Sequence, residues 1–138
     1  MSKKVIAILL ISLIFLFYTG CNNASQDKAD TIGTIKLDIY FPDDYEASDI
    51  SVEYPIKDGD TALSILVDFG KEEGVAVVLS ENRAYVSGIN GLFEKDYGDL
   101  FGWLYWVNDE SPTVGAAEYV LSDGDHIVWE YVDFSEIW

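Results

Sequence analysis

Residues 58–74 read DGDTALSILVDFGKEEG, and this stretch decides the fold class of the chain. Its apolar side chains recur at the three- and four-residue spacing of a helix with one buried face, at Ala62, Ile65, Leu66 and Phe69. The hydroxyl of Thr61 is suited to cap the start of that helix, and Gly74 is suited to end it. The sequence therefore predicts one helix over residues 61–73.

A hairpin pattern precedes the helix. Residues 34–41 read TIKLDIYF, in which apolar and polar side chains alternate as they do on a half-buried strand. Residues 50–56 alternate in the same way, and Pro55 favours a position at the edge of a sheet because proline cannot donate to a neighbouring strand. The acidic segment between the two runs predicts a hairpin with a long loop.

Shorter strand patterns follow the helix. They occupy residues 75–79, 84–89, 103–108, 117–121 and 127–132. One helix lying across a mixed sheet is an α+β arrangement, and the order of elements is that of the β-grasp fold. We predict a single β-grasp-like domain over residues 33–138, and prefer it to a sandwich because the helix is single and well capped.

The N-terminus has the features of a secretory signal. Lys3 and Lys4 precede residues 5–18, a run of 14 residues that only Ser12 interrupts with a polar side chain. This run is shorter than the roughly 20 apolar residues that a spanning helix needs. A charged start, an apolar core and small residues before a cleavage site together predict a signal peptide over residues 1–20.

Residues 18–21, YTGC, resemble the bacterial lipobox, in which cleavage precedes a cysteine that receives a diacylglycerol. Cys21 is the only cysteine of the chain, so no internal disulfide is possible. Two acyl chains suffice for stable anchoring. We therefore predict an extracytoplasmic lipoprotein anchored to the bacterial cell membrane through Cys21, with a flexible tether over residues 21–32. The alternative is an ordinary secreted protein with one stray cysteine.

The charge balance constrains the partners. The chain has 25 acidic and 8 basic residues, and removal of Lys3 and Lys4 with the signal peptide leaves a net charge of −19. Such a chain is repelled by nucleic acid phosphates and by anionic lipid surfaces. No nucleic acid partner is predicted. The alternative meaning of the charge is solubility and self-repulsion alone.

The residue types that catalysis requires are scarce. His126 is the only histidine, and no serine lies in a Gly-x-Ser-x-Gly elbow. Zinc sites need clustered cysteine and histidine ligands, and this chain has one residue of each type, far apart. We predict that the protein is not an enzyme and that it has no resident cofactor.

The loop of the hairpin is the weak candidate for a metal site. Its carboxylates lie close together, at Asp43, Asp44, Glu46 and Asp49. Calcium prefers oxygen ligands, but this spacing does not match the twelve-residue calcium loop. A solvated acidic loop is the alternative, and we predict no metal.

An aromatic segment stands out after the helix. On a strand, Trp103 and Tyr105 would share one face, and Leu104 and Trp106 the other. One face would then be exposed to a flat apolar ligand or a protein partner. Alternatively, the helix and the loop over residues 93–101 bury both faces. The sequence leaves both alternatives open.

Several segments together resemble the C-terminal domain of the transcobalamin and intrinsic factor family, and its stand-alone version in bacterial lipoproteins. They are DGDTAL at 58–63, YVSGING at 85–91, GWLYWVN at 102–108, GAAEY at 115–119 and SDGDHI at 122–127. The resemblance implies a β-grasp-like fold and a surface that faces a corrinoid, formed by Ser87, Gly88, Ile89, Trp103, Thr113 and Val114. The animal proteins hold cobalamin between this domain and a large helical barrel, for which this sequence has too few residues.

Two functions of different class follow. The first is a ligand-binding lipoprotein, with cobalamin or another corrinoid as the lead ligand, which feeds a transporter or works with a second binding protein. It predicts an exposed surface formed by Trp103 and the segments 87–91 and 112–115. The second is a cell-envelope interaction or adhesion module without a small ligand. It predicts buried tryptophans and an exposed patch on an edge strand.

Overall fold

The computed structural model describes residues 31–137, and their elements follow the order strand, strand, helix and five strands. The elements are β1 (Thr31–Tyr40), β2 (Ile50–Lys57), α1 (Ala62–Glu73), β3 (Val77–Leu79), β4 (Val86–Ile89), β5 (Leu92–Phe93), β6 (Phe101–Val107), β7 (His126–Asp133) and a short 3₁₀-helix (Phe134–Glu136). The predicted signal peptide, Cys21 and most of the predicted tether lie outside the described residues. β1 begins two residues before the predicted domain boundary at residue 33.

The strands form two sheets. The main sheet has the order β2-β1-β7-β6, and the smaller sheet has the order β3-β4-β5. β1 and β7 run parallel, and the other pairs are antiparallel. The predicted α+β class with a mixed sheet and one main helix is confirmed, and β2 lies at a sheet edge as Pro55 indicated. The division of the strands into two sheets is an additional feature that the pattern did not predict.

The helix forms where the sequence predicted it. Thr61 Oγ1 accepts a hydrogen bond from the Ser64 backbone N–H at 3.1 Å, and Ser64 Oγ accepts one from the Thr61 N–H at 2.9 Å. This reciprocal pair satisfies two of the donors that have no partner within the helix. Gly74 ends the helix in the left-handed conformation. Within residues 31–137, no helix is both long enough and apolar enough to span a lipid bilayer.

One apolar core joins the helix to the main sheet. The alternating residues of β1 that point inward, Ile35, Leu37 and Ile39, are almost completely buried. Ile127 and Trp129 of β7 lie beside Leu37 and Ile39 in the parallel register and share their face. The buried side chains of α1 belong to the same core, and they include Ile65, Leu66 and Phe69. The inward-facing residues of the strands, spaced two apart, and the apolar face of α1 therefore pack into one core.

The strand predicted over residues 117–121 is not formed. Instead, the carbonyl oxygens of Ala116 and Tyr119 accept hydrogen bonds from the N–H groups of Leu63 and Ala62, both at 3.0 Å. The first N–H groups of a helix have no partner within the helix, and residues 116–121 supply those partners. The prediction was wrong because a short apolar run also fits a segment that caps a helix.

The smaller sheet contains a tight hairpin that was not predicted from the sequence. Asn90 and Gly91 connect β4 to β5, and both have positive φ angles, 49° and 86°. This is the two-residue turn whose twist matches that of the flanking strands. The strand pattern over residues 84–89 therefore continues into a second strand rather than into an open loop.

Gly70 provides a test of the packing between α1 and β3. A Cβ atom at Gly70 would lie 2.6 Å from the carbonyl oxygen of Val75 and 2.8 Å from Val77 Cγ2. Alanine normally stabilises a helix relative to glycine by about 1 kcal/mol, but overpacking outweighs this preference here. We expect Gly70→Ala to lower the free energy of unfolding by about 2 kcal/mol, measured by urea denaturation.

Gly115→Ala is the matched control, because a Cβ atom there meets no atom within 4 Å. We expect this substitution to change the free energy of unfolding by less than about 0.5 kcal/mol. Equal effects of the two substitutions would show that α1 does not pack against β3 at Gly70.

Candidate functional site

A cavity of about 250 Å³ lies beside β6, and we call it the aromatic cavity. Its wall is formed by residues 84–86 at the start of β4, residues 103–105 of β6, the segment 111–116 apart from Thr113, and Trp129 of β7. No side chain of this wall carries a charge at neutral pH. A wider groove of about 640 Å³ lies between α1 and β3, and it contains none of the predicted site residues.

Two of the six predicted site residues, Trp103 and Val114, line the aromatic cavity. Thr113 is exposed next to Val114 in the same segment. Ser87 lies on β4 of the smaller sheet, and its Oγ donates a hydrogen bond to the Val78 carbonyl oxygen of β3 at 3.2 Å. The structure therefore brings the β6 and 111–116 parts of the predicted surface together, and it does not bring Ser87 to them.

Gly88 and Ile89 do not offer a surface to a ligand in this conformation. Ile89 is completely buried in the core. Gly88 is covered by the ring of Phe93 on the paired strand, because a Cβ atom at Gly88 would lie only 2.7 Å from that ring. Ile89 is thus part of the core, and Gly88 leaves room for the Phe93 ring on the paired strand.

The aromatic face that carries Trp103 is the buried face of β6. Trp103 is only 7% exposed, and its Nε1 donates a hydrogen bond to the Leu92 carbonyl oxygen at 3.0 Å. Its indole meets the rings of Phe41 and Tyr131 edge to face, at 5.4 and 5.5 Å. The expectation of an exposed Trp103 surface is therefore not met, except where the indole borders the aromatic cavity.

The loop after β5 covers part of this face. Tyr97 lies 5.7 Å from the ring of Tyr131, and Phe101 lies 6.0 Å from it. Tyr131 Oη donates a hydrogen bond to the Phe93 carbonyl oxygen at 2.8 Å. On the opposite face of β6, Trp106 is half-buried. The loop over residues 93–101 therefore closes the end of the core on the Trp103 face. The alternative in which both faces of β6 are buried is met only in part, because Leu104 and Trp106 on the other face are half-buried.

Tyr105 holds the segment 111–116 against β6. Its Oη donates a hydrogen bond to the Val114 carbonyl oxygen at 2.6 Å. Its ring stacks on the indole of Trp129, with the ring centres 5.4 Å apart. Burial, with smaller contributions from Tyr119 and Glu118, raises the pKa of the Tyr105 phenol. The hydroxyl therefore remains a donor at neutral pH and keeps Val114 at the cavity.

Trp129 and Tyr85 also line the cavity, although neither is among the six site residues predicted from the sequence. Trp129 lies opposite Tyr105 in the register of β6 and β7. Tyr85 is 50% exposed beside the cavity. Trp129 lies within the strand predicted over residues 127–132, but a strand pattern contains no information on which residue of another strand lies beside it.

The acidic loop uses its carboxylates in hydrogen bonds that shape the loop. Asp49 accepts a hydrogen bond from the Phe41 N–H at 2.9 Å, and Asp44 accepts one from Tyr97 Oη at 3.0 Å. Among residues 31–137, no three histidine, cysteine, aspartate or glutamate side chains are grouped so that they could hold a metal ion. The remaining weak candidates, Asp43 and Glu46, belong to the same loop.

A second polar cluster lies on the outer face of the main sheet, around Asp38. Asp38 is completely buried. Its Oδ2 accepts hydrogen bonds from Lys36 Nζ at 2.8 Å, His126 Nε2 at 2.7 Å and Tyr40 Oη at 3.0 Å. Its Oδ1 accepts one from Ser51 Oγ at 2.6 Å. His126 is a partly exposed partner of this carboxylate.

The hydrogen bonds decide the charge of Asp38. Burial alone would raise its pKa, but the donors Lys36, Ser51, His126 and Tyr40 together outweigh burial and hold the pKa well below its usual range. The carboxylate is therefore ionised, and His126 Nε2 carries the proton that it donates. A buried charge of this kind is stable only while its partners remain in place.

This cluster predicts a specific dependence of stability on pH. Because the pKa of Asp38 is lower in the folded than in the unfolded state, its contribution is complete above the unfolded pKa, about 4. That contribution is lost as the pH falls below this value towards the folded pKa. We expect Asp38→Asn to lower the free energy of unfolding at pH 7 by about 2 kcal/mol, and to make the loss of stability between pH 4 and 2 shallower.

Glu53→Gln is the control, because Glu53 is an exposed carboxylate on β2 of the same sheet. We expect its free energy of unfolding to follow that of the unmodified chain at each pH. A parallel acid profile for Asp38→Asn and the unmodified chain, measured by urea denaturation from pH 2 to 7, would contradict the role given to Asp38.

Residues 59–133 match the model of a family described as a domain of unknown function, DUF4430. This match covers more than half of the chain. At the level of sequence, no curated protein matches the chain significantly.

Solved structures resemble the described fold. Haptocorrin in complex with Cbi aligns with a TM-score of 0.63 and 17% identity over 82% of this chain, and the aligned part is 28% of the haptocorrin chain. A candidate metal-binding protein from Ruminococcus gnavus ATCC 29149 aligns with a TM-score of 0.54 and 15% identity, over 73% of this chain and 97% of that one. At these identities the two structures show a shared fold, and the chain spans less than a third of haptocorrin.

Proposed function

The chain belongs to the DUF4430 family, and from this premise we propose that it is a lipid-anchored extracytoplasmic module that binds cobalamin or another corrinoid. One observation carries the proposal. The aromatic cavity lies at Trp103 and Val114, two of the residues that the resemblance to the transcobalamin and intrinsic factor family implies for ligand contact. Haptocorrin, whose fold this domain shares, was solved with the corrinoid Cbi bound.

The dimensions of the cavity define how a corrinoid would bind. Pockets that enclose a whole small ligand have volumes of roughly 300 to 1,000 Å³, and the aromatic cavity has about 250 Å³. A corrin ring would therefore lie across the mouth of the cavity rather than inside it. Tyr85 and Val114, which are 50% and 41% exposed, would supply apolar contact there, with Thr113 beside them. The other face of the ring would be covered by a transporter or a second binding protein.

A titration of the full chain in detergent tests this function. We expect cobinamide and cobalamin to quench tryptophan fluorescence saturably, after correction for corrinoid absorbance. Val114→Glu should weaken binding at least about tenfold, because a carboxylate at an uncharged contact loses its water without gaining a partner. Absence of binding by both corrinoids up to millimolar concentration would overturn the proposed ligand.

Val120→Glu is the matched control for Val114→Glu. Val120 is also an exposed valine in an irregular segment, at 58% exposure, and it is not part of the cavity wall. We expect corrinoid binding by this variant to equal that of the unmodified chain. Circular dichroism of both variants establishes that the fold is retained.

The proposed location depends on Cys21, which the sequence places after the signal-like segment. A diacylglycerol on this cysteine would supply two acyl chains, enough to hold a protein on a bilayer. We expect Cys21→Ser to transfer the protein from the membrane fraction to the soluble or secreted fraction. Ser25→Ala in the predicted tether is the control and should remain in the membrane fraction. A Cys21→Ser variant that stays with the membrane would contradict lipid anchoring.

The proposed role is binding without catalysis. The sequence contains one histidine, and His126 Nε2 is engaged by Asp38 at 2.7 Å on the outer face of the main sheet. The wall of the aromatic cavity contains neither a carboxylate nor an imidazole. These features favour recognition of a ligand by shape and hydrogen bonding.

A second candidate function is a cell-envelope interaction or adhesion module. Two observations favour it: Trp103 and Trp129 are buried, and Val78 is exposed on β3 at the edge of the smaller sheet. An edge strand presents unpaired backbone groups to which another chain can add a strand. The corrinoid titration separates the two functions, because an interaction module predicts no binding of either corrinoid.

A further inference from the structure

Trp129 contains a buried polar atom that nothing in the structure accounts for. It is 98% buried, and among residues 31–137 its Nε1 is the buried side-chain polar atom that lacks a hydrogen-bond partner. The atom is also closed off from bulk water. Buried donors are almost always paired in folded proteins, so an unpaired donor requires an explanation of its own.

Trp129 belongs to the wall of the aromatic cavity, although its Nε1 has no accessible surface there. The other aromatic donors of that wall are occupied. Trp103 Nε1 donates to the Leu92 carbonyl oxygen, and Tyr105 Oη donates to the Val114 carbonyl oxygen. Tyr85 Oη donates to Glu94 Oε1 at 3.3 Å. The indole N–H of Trp129 is thus the aromatic donor of these wall residues that has no partner, and another molecule can reach it only if the wall opens.

The rest of the wall determines what kind of molecule this is. The side chains of the wall are aromatic, aliphatic or small. Apart from the tyrosines, the only hydroxyl in the wall belongs to Ser111. An ion placed there would lose its water without gaining a countercharge. An uncharged group with a hydrogen-bond acceptor would fill apolar space and satisfy Trp129 at the same time.

We propose that the aromatic cavity binds a small neutral carbonyl group, most simply a primary amide, whose oxygen accepts a hydrogen bond from Trp129 Nε1. With about 250 Å³, the cavity holds a short side arm and not a ring system. A corrinoid carries amide side arms around its ring. The identity of the larger molecule therefore rests on the proposed function, whereas the neutral amide site rests on the cavity itself.

Entry of the carbonyl group requires a small movement of the segment 111–116. This segment is fixed to β6 through the hydrogen bond from Tyr105 Oη to Val114, and Tyr105 also stacks on Trp129. Gly115 in the same segment has no atom within 4 Å of its Cβ position, so space surrounds the backbone there. Binding as proposed therefore includes a displacement of this segment that exposes the indole N–H to the cavity.

The test uses propionamide as the probe and the indole N–H signals of the ¹⁵N-labelled full chain in detergent. The Trp129 signal is assigned by its absence in Trp129→Phe, which removes the donor and keeps an aromatic ring. We expect propionamide to shift this signal saturably towards lower field, with a Kd on the order of millimolar. Trp129→Phe should weaken propionamide binding about tenfold, followed by the methyl signals of Val114.

Two controls isolate the proposed contact. Trp106→Phe removes an indole N–H on the outer face of β6 and should leave propionamide binding unchanged. Propionate has nearly the shape of propionamide but carries a charge, and it should bind far more weakly. Equal binding of propionate and propionamide, or an unmoved Trp129 signal at the highest soluble propionamide concentration, would overturn the proposal.

The outcomes separate this inference from the proposed function. Propionamide binding without corrinoid binding would support the amide site and reject corrinoids as the ligand. Corrinoid binding of equal strength in Trp129→Phe and the unmodified chain, with no shift by propionamide, would reject the amide site and leave the corrinoid function in place. Failure of both ligands would reject both proposals.

Discussion

The parallel pairing of β1 with β7 is the constraint on which the rest of the structure depends. It joins the beginning of the described chain to its end, with Leu37 beside Ile127 and Ile39 beside Trp129. Parallel strands need a long crossover between them, and here α1, the smaller sheet and β6 all lie within it. The same register places the inner face of β7 over the core and brings His126 to Asp38 on the outer face. A slip of one residue would exchange these two faces.

The helix N-terminus has a second role besides stabilising α1. Its first N–H groups bind the carbonyl oxygens of Ala116 and Tyr119, and this contact fixes the C-terminal end of the segment 111–116. Tyr105 fixes the middle of that segment through Val114. The segment 111–116 of the cavity wall is therefore held between the N-terminus of α1 and strand β6. Its position is a consequence of the backbone donors that every helix leaves unpaired.

The sequence was sufficient for the elements whose signal is local. The helix, the β1–β2 hairpin and the edge position of β2 follow from spacing, a capping threonine and one proline. The contributions of residues 117–121, of the Asn90–Gly91 turn and of Trp129 were not predicted. Residues 117–121 depend on a helix terminus and Trp129 depends on the neighbouring strand β6, and both partners are distant in the sequence. The Asn90–Gly91 turn is a local hairpin signal, but β5 after it has only two residues, too few to form a strand pattern. The resemblance to a known family located Trp103 and Val114 at the cavity, but it did not indicate that Ile89 is enclosed by the core.

The uncharged aromatic cavity lies within a chain of net charge −17. Over a distance comparable to the Debye length, about 8 Å at physiological ionic strength, the surrounding carboxylates repel anions before they reach the mouth. Cations are concentrated near the surface but find no carboxylate in the cavity wall, so they gain nothing by entering. Neutral molecules experience neither effect. The acidic surface and the uncharged wall together favour neutral molecules over ions at the cavity, and this electrostatic selectivity weakens as the salt concentration rises.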